Sequence, residues 1–221
     1  MNTLLMFDLD GTLLDTSQLF FEGVPRIVHK HLGFQVSQEE ILSMWGQIAK
    51  NMFLYFASKV GVGDERLINR MYTEFERFYV ANHDDMFRVY DDIIFYLPRL
   101  KEKVLRIGVV TARPRSRTNM IYSQSWSKYI DFIVCGDDVQ HPKPAPEGLE
   151  LAIERFGGVA HHIIYVGDNW HDIQAAKNCR YPVMSIAGLW GAYNHEVLLN
   201  AEPDMSFSTF QDFSEWILTS E

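Results

Sequence analysis

Apolar and polar positions divide this chain into stretches of different period. Leu4-Leu5-Met6-Phe7 is a continuous apolar run, too short for a helix, and predicts a buried strand that ends at Asp8. After Asp15 the period becomes helical. Residues from about Ser17 to Leu32 place Leu19, Phe20, Gly23, Val24, Ile27, Val28 and His31 on one face. Ser37-Gln38-Glu39-Glu40 reads as a capping box ahead of Ile41-Leu42-Ser43-Met44-Trp45. Gly46 breaks that helix, and Gln47-Ile48-Ala49-Lys50 opens a segment that runs through Val60. Gly61-Val62-Gly63 is a turn, and Asp64 to about Asn82 is a long helix rich in Phe and Tyr. Residues 16–85 carry no strand signal.

From Tyr90 strands and helices alternate. Helices are expected at Asp91–Lys101, near Ser116–Ser125, and at Glu147–Phe156, Ile173–Asn178, His195–Asn200 and Phe210–Leu218. Strands are expected at Leu105–Thr111, Phe132–Cys135, Ile163–Val166, Val183–Ile186 and Met205–Phe207. Such alternation implies a mostly parallel sheet with helices on both faces. The expected organisation is an α/β core from residues 1–15 and 86–221, interrupted by an all-helical insert over 16–85.

Composition narrows the function. The 221 residues are 47% hydrophobic and 22% charged, which are globular values. The formal net charge of −9 argues against general nucleic-acid binding, which needs a basic face. An anionic substrate would have to be drawn by a local positive site. Cys135 and Cys179 lack metal-ligand spacing and read as buried, reduced thiols suited to the cytoplasm. The first strand begins too early for a signal peptide, and no apolar run reaches membrane-spanning length.

Four segments carry candidate chemistry. Asp8 and Asp10, spaced i, i+2, would share one side of an extended strand end. Paired carboxylates repel, so they recruit a cation or keep a proton. Taken alone, the pattern also fits an Asp-rich turn. Ile107 to Arg113 is an apolar strand ending in the hydroxyl of Thr111. Pro142-Lys143-Pro144-Ala145-Pro146 clamps a lysine between prolines. Ile163 to Asp172 is a strand ending in an acidic turn with Asp168 and Asp172. Four carboxylates cannot be balanced by one lysine, whereas a hard dication such as Mg²⁺ can balance them. His171 is expected to face solvent, and no His or Cys set has zinc-ligand spacing.

In this order, Asp-x-Asp, Thr, Lys and Gly-Asp-x-x-x-Asp resemble the haloacid dehalogenase superfamily, specifically its helical-cap, phosphoglycolate phosphatase-like branch. Leu189-Trp190-Gly191-Ala192-Tyr193 resembles a Trp-Gly-Tyr segment of that branch. The resemblance implies a doubly wound Rossmann-like core with residues 16–85 as a helical cap. It implies that Asp8 is the nucleophile and Asp10 the general acid and base. Thr111 and the amide of Ala112 would bind phosphate, and Lys143 would bridge phosphate and Asp8. Mg²⁺ would be held by the Asp8 side chain, the Asp10 backbone carbonyl and Asp168, with Asp172 behind them orienting Lys143 or a metal-bound water. Arg113 would contact a second anionic group on the substrate or pair with a nearby acid. Gln47 and Lys50 fall where this branch places its specificity loop, and they are the candidates for leaving-group contacts.

The implied activity is Mg²⁺-dependent hydrolysis of a small phosphorylated metabolite through an aspartyl-phosphate, by a cytoplasmic monomer or homodimer without nucleic-acid or membrane partners. A sugar phosphomutase of the same fold often has Asp-Gly-Val where this chain has Asp10-Gly11-Thr12. A dehalogenase would lack Asp10. A phosphonatase would use a cap lysine, for which only Lys50 is suggestively placed. A catalytically silent phosphometabolite-binding protein would not need the intact set.

Overall fold

The N-terminal apolar run becomes the middle of a parallel sheet. A computed structural model describes residues 2–44, 49–118, 121 and 124–220, leaving the side chains of 83–85 aside. The chain runs β1 (Thr3–Phe7), β2 (Leu14–Asp15), α1 (Ser17–Leu32), α2 (Gln38–Leu42), α3 (Ala49–Lys59), α4 (Glu65–Met86), β3 (Arg88–Val89) and α5 (Asp91–Lys103). It continues through β4 (Arg106–Val110), α6 (Arg115–Thr118), β5 (Phe132–Val134), α7 (Glu147–Ala152), β6 (His162–Gly167) and α8 (Trp170–Asn178). β7 (Met184–Gly188), α9 (His195–Asn200), β8 (Met205–Phe207) and α10 (Phe210–Thr219) complete it.

The six-stranded sheet has the order β5-β4-β1-β6-β7-β8, and all its pairings are parallel. Every residue of β1 is buried, because successive side chains feed opposite faces. Leu4 and Met6 join Val110, Leu149, Tyr165 and Ala175. Phe7 meets Phe210 and Phe213 of α10, each at a ring-centroid distance of 5.9 Å. This is the two-sided burial that a helix-covered parallel sheet requires. Among the described residues, no helix is long and apolar enough to cross a membrane.

The chain divides into two compact units, Met1–Asp15 with Val89–Glu221, and Thr16–Arg88. In the helical unit, α1 buries Leu19, Gly23, Val24, Ile27 and Val28. The Ser37–Glu40 capping box forms: the Ser37 amide donates to Glu40 Oε2 at 2.9 Å, and the Glu40 amide donates to Ser37 Oγ at 3.2 Å. Phe75 lies 5.3 Å from Phe20 and 5.9 Å from Phe53, ring to ring, so the aromatic stripe of α4 is core. The expected break at Gly46 lies outside the described residues.

Several elements differ from the sequence expectation, among them a two-stranded β2–β3 pair and an α7 that ends at Ala152 and not at Phe156. α4 runs on to Met86. The helix expected near Ser116–Ser125 is short where described. Beyond it come tight turns, with the Gln124 amide on the Ile121 carbonyl at 2.9 Å and the Ser127 amide on the Gln124 carbonyl at 3.1 Å. These turns bury Ile121 and Trp126. α8 starts at Trp170, three residues early, because Asn169 and Asp172 form a capping box there.

A Cβ added at Gly23 would lie 2.8 Å from the Phe78 ring and 2.9 Å from the buried Phe75 ring. Alanine would gain about 1 kcal/mol of helix propensity, against ~1–3 kcal/mol for overpacking. Overpacking should win: Gly23→Ala is expected to lower the urea midpoint. A higher midpoint would mean that the α1–α4 contact is looser than described.

Candidate active site

The strand ends around β1 converge on one edge. The Asp8 amide donates to the Val166 carbonyl at 2.8 Å, carrying the β1–β6 ladder one residue past the strand. The Thr111 amide does the same toward Val134 at 3.0 Å. Asp168 follows β6 directly. Asp8, Thr111 and Asp168 therefore leave the carboxyl ends of adjacent parallel strands, where open α/β sheets hold ligands.

Beyond Asp8 the extended backbone stops. The amides of Leu13 and Leu14 both donate to the Leu9 carbonyl at 2.9 Å, and Gly11 turns at φ +83°. The turn brings the Thr12 hydroxyl onto Asp168 Oδ1 at 2.8 Å, and the Trp190 indole N–H caps the Thr12 carbonyl at 2.9 Å. Asp10 accepts two bonds from Arg113, Nε to Oδ2 at 2.6 Å and Nη2 to Oδ1 at 2.5 Å, and it stays close enough to Asp8 for its charge to add to the upward push on that carboxyl.

Lys143 is buried among acids. Its Nζ lies 2.7 Å from Asp8 Oδ1, in an ion pair without hydrogen-bond alignment. It also lies 2.5 Å from Asp172 Oδ1 and donates to the Tyr165 hydroxyl at 2.9 Å. That hydroxyl shares one proton between the Val110 carbonyl at 2.9 Å and Asp172 Oδ1 at 3.0 Å. The second Asp172 oxygen accepts from the Asn169 amide at 3.0 Å, so the start of α8 fixes the carboxylate.

Asp8, Asp168 and Asp172 offer oxygens that all lie within 4.8 Å of one another, and all three residues are buried. Burial pushes the Asp8 carboxyl up to about 7, against the pull of Lys143 and with further push from Asp172. Burial, then Asp172 and Asp8, hold Asp168 well above the usual carboxylate range. Burial works against the Lys143 cation, but Asp172 and Asp8 outweigh it and raise its proton affinity. Three buried carboxylates facing one ammonium form an all-oxygen site with uncompensated negative charge. That chemistry fits a hard divalent cation.

Thr111 is buried and its Oγ1 accepts from the Arg113 amide at 3.2 Å. Ala112 is exposed beside it. The Asp10 side chain is not one of the clustered oxygens. Lys50 is half-buried in the first turn of α3, and Gln47 lies outside the described residues. His171, expected in solvent, is half-buried and stacks on Trp170 at 3.8 Å, and burial lowers its proton affinity. Cys135 is buried, Cys179 is half-buried, and both are free. Tyr165 and Thr12 were not anticipated. The signal for Tyr165 was a hydroxyl inside the otherwise apolar run Ile163 to Val166.

The chain is similar to several known proteins. The model of the haloacid dehalogenase-like hydrolases matches residues 5–186. Pyrophosphatase PpaX of Bacillus velezensis is 30% identical over 211 residues, covering 95% of this chain and 94% of the relative. A Haemophilus somnus structure, of a predicted phosphoglycolate phosphatase, superposes with a TM-score of 0.84 at 20% identity and covers 98% of both chains. A haloacid dehalogenase-like family hydrolase of Streptococcus pneumoniae gives 0.79 at 20% identity over 97% of both chains. The structural likenesses carry the fold, and the match over residues 5–186 carries the family. This chain belongs to the haloacid dehalogenase-like hydrolases.

Proposed function

We propose that the protein is a Mg²⁺-dependent phosphatase of a small phosphorylated metabolite, working through an aspartyl-phosphate on Asp8. The observation that carries this reading is the buried Lys143–Asp8 pair inside the Asp8–Asp168–Asp172 cluster. A carboxylate with a neutralising ammonium at 2.7 Å is a suitable in-line nucleophile for a phosphoryl group. An Asp8 oxygen attacks phosphorus, and the bond to the leaving oxygen breaks. Asp10 supplies that oxygen with a proton. A water then gives its proton to Asp10 and attacks the acyl-phosphate, releasing phosphate and the Asp8 carboxylate. The Thr111 hydroxyl and the Ala112 amide hold phosphoryl oxygens, and Lys143 balances their charge. Asp8, the Asp10 carbonyl and Asp168 would hold Mg²⁺, which supplies further charge neutralisation and in-line orientation when bound.

The reading includes the helical unit as a cap and a cytoplasmic monomer or homodimer. The name of the Bacillus relatives makes inorganic pyrophosphate the first substrate to test. Phosphoglycolate is the second.

Asp8→Asn is nearly isosteric. It is expected to keep the melting temperature within a few degrees and to cut phosphate release from pyrophosphate or acetyl phosphate by more than ~1,000-fold. In the wild type, BeF₃⁻ should attach to Asp8 in a crystal. Retained turnover in Asp8→Asn would sink the aspartyl-phosphate mechanism.

Mg²⁺ added to EDTA-treated protein should restore turnover and also raise the melting temperature, since it binds only the folded chain. Asp168→Asn should weaken Mg²⁺ by at least ~10-fold in calorimetric titration. Ca²⁺ should inhibit, because its looser shell disturbs in-line attack. Full activity in metal-free buffer would refute the metal assignment.

A further inference from the structure

Arg113 and Asp10 divide burial unequally. The Arg113 side chain is 3% exposed, while Asp10 keeps 30% of its side-chain surface open. The guanidinium reaches Asp10 through two nitrogens, Nε at 2.6 Å and Nη2 at 2.5 Å, one to each carboxylate oxygen. The Arg113 backbone is tied in turn, its amide donating to Thr111 Oγ1 and its carbonyl accepting from the Gly136 amide at 2.8 Å.

The geometry points to Arg113 as a positioning residue for Asp10, and not as a contact for a second anionic group of the substrate. This rests on the acid–base role proposed above for Asp10. Nε and Nη2 of this covered guanidinium meet another group only by giving up their bonds to Asp10. The partner with open surface is Asp10, so Arg113 acts through it. Asp10 lies three residues past the end of β1, in a turn. A planar fork that engages both oxygens fixes the direction of the carboxylate, which a single-point cation does not do. Proton transfer to a leaving oxygen depends on that direction, and a displacement of ~1 Å can cost on the order of 100-fold. Thr111 and the Asp10 clamp are thus carried by one short segment, which couples phosphate binding to the aim of the acid.

The test separates aim from binding by leaving group. Acetyl phosphate expels acetate, which departs without a proton, whereas glycerol 2-phosphate expels an alkoxide that needs one. kcat/KM reports the steps through leaving-group departure. Arg113→Met and Arg113→Lys are both expected to lower kcat/KM by ~10- to 100-fold for glycerol 2-phosphate and by less than ~3-fold for acetyl phosphate. In an Asp10→Asn background the same changes should add nothing. Crystals of Arg113→Lys should show Asp10 in more than one rotamer. The lysine variant keeps a cation and decides the matter if the methionine variant does not fold. Equal losses on both compounds, no loss, loss confined to substrates with a second anionic group, or a single unchanged Asp10 rotamer would each overturn the proposal. A wild type inert toward every phosphate would overturn the phosphatase reading itself. An active wild type with unselective variants would overturn only this one.

Discussion

Everything at the active edge depends on holding Lys143 between Asp8 and Asp172. An ammonium and two carboxylates at 2.7 and 2.5 Å, with Asp168 close by, have been taken out of water. Buried ion pairs are weak stabilisers, because desolvation offsets their attraction, while removal of one partner strands the other at ~3–5 kcal/mol. Such a cluster is therefore a poor reason for a fold to exist and a good marker of chemistry. Asp172 and Asp168 also accept from groups belonging to the sheet, the helix and the turn after Asp8: the Asn169 amide, the Tyr165 hydroxyl and the Thr12 hydroxyl.

Sheet order makes that cluster possible. β1 sits between β4 and β6 although they come from distant parts of the chain, with Phe7 in register with both Val109 and Val166. Parallel strands end on the same edge, so the residues following each strand meet without any strand having to bend. The loop bearing Lys143 needs only to reach that edge from β5 before α7 begins. Tyr165 links the layers. Its ring lies in the core with Leu4 and Met6, while its hydroxyl bonds the Val110 carbonyl beneath the lysine. The apolar core and the ionic cluster thus share one side chain.

What was legible in the sequence follows the range of the interaction. Strand ends, the Ser37 capping box and the bounds of α1 rest on neighbours within one or two turns, and periodicity reports those directly. The approach of Asp8 to Lys143 and Asp168 came from the ordered motifs, with the α/β alternation supplying the common edge. The Arg113–Asp10 fork spans 103 residues, and no local pattern encodes it. β1 ends at Phe7 and the chain then turns over Leu9, so strand alternation alone does not say what holds Asp10. Asp172, which the resemblance places behind the metal ligands to orient Lys143, also caps α8. That local role is what holds it rigid enough to face Lys143. Tyr165 was hidden because a tyrosine in a strand needs no further explanation.

The turn after Asp8 is closely packed against its neighbours. A Cβ on Gly11 would fall 2.2 Å from Asp168 Oδ2, and one on Gly191 would fall 1.5 Å from the Gly11 carbonyl oxygen. The Gly191 backbone lies against the Gly11 backbone, and Gly11 lies against the Asp168 carboxylate, approaches that a Cβ would crowd. Trp190 closes the same stack from the side through the Thr12 carbonyl, and its ring sits 5.6 Å from Phe210, itself against Phe7. Asp168 is thereby held by the turn at Gly11–Thr12, backed by the loop after β7, as well as by its own strand. A carboxylate held from two directions keeps its place despite repulsion from Asp8 and Asp172. The uncompensated charge therefore persists as a site, because the side chains cannot relax away from one another.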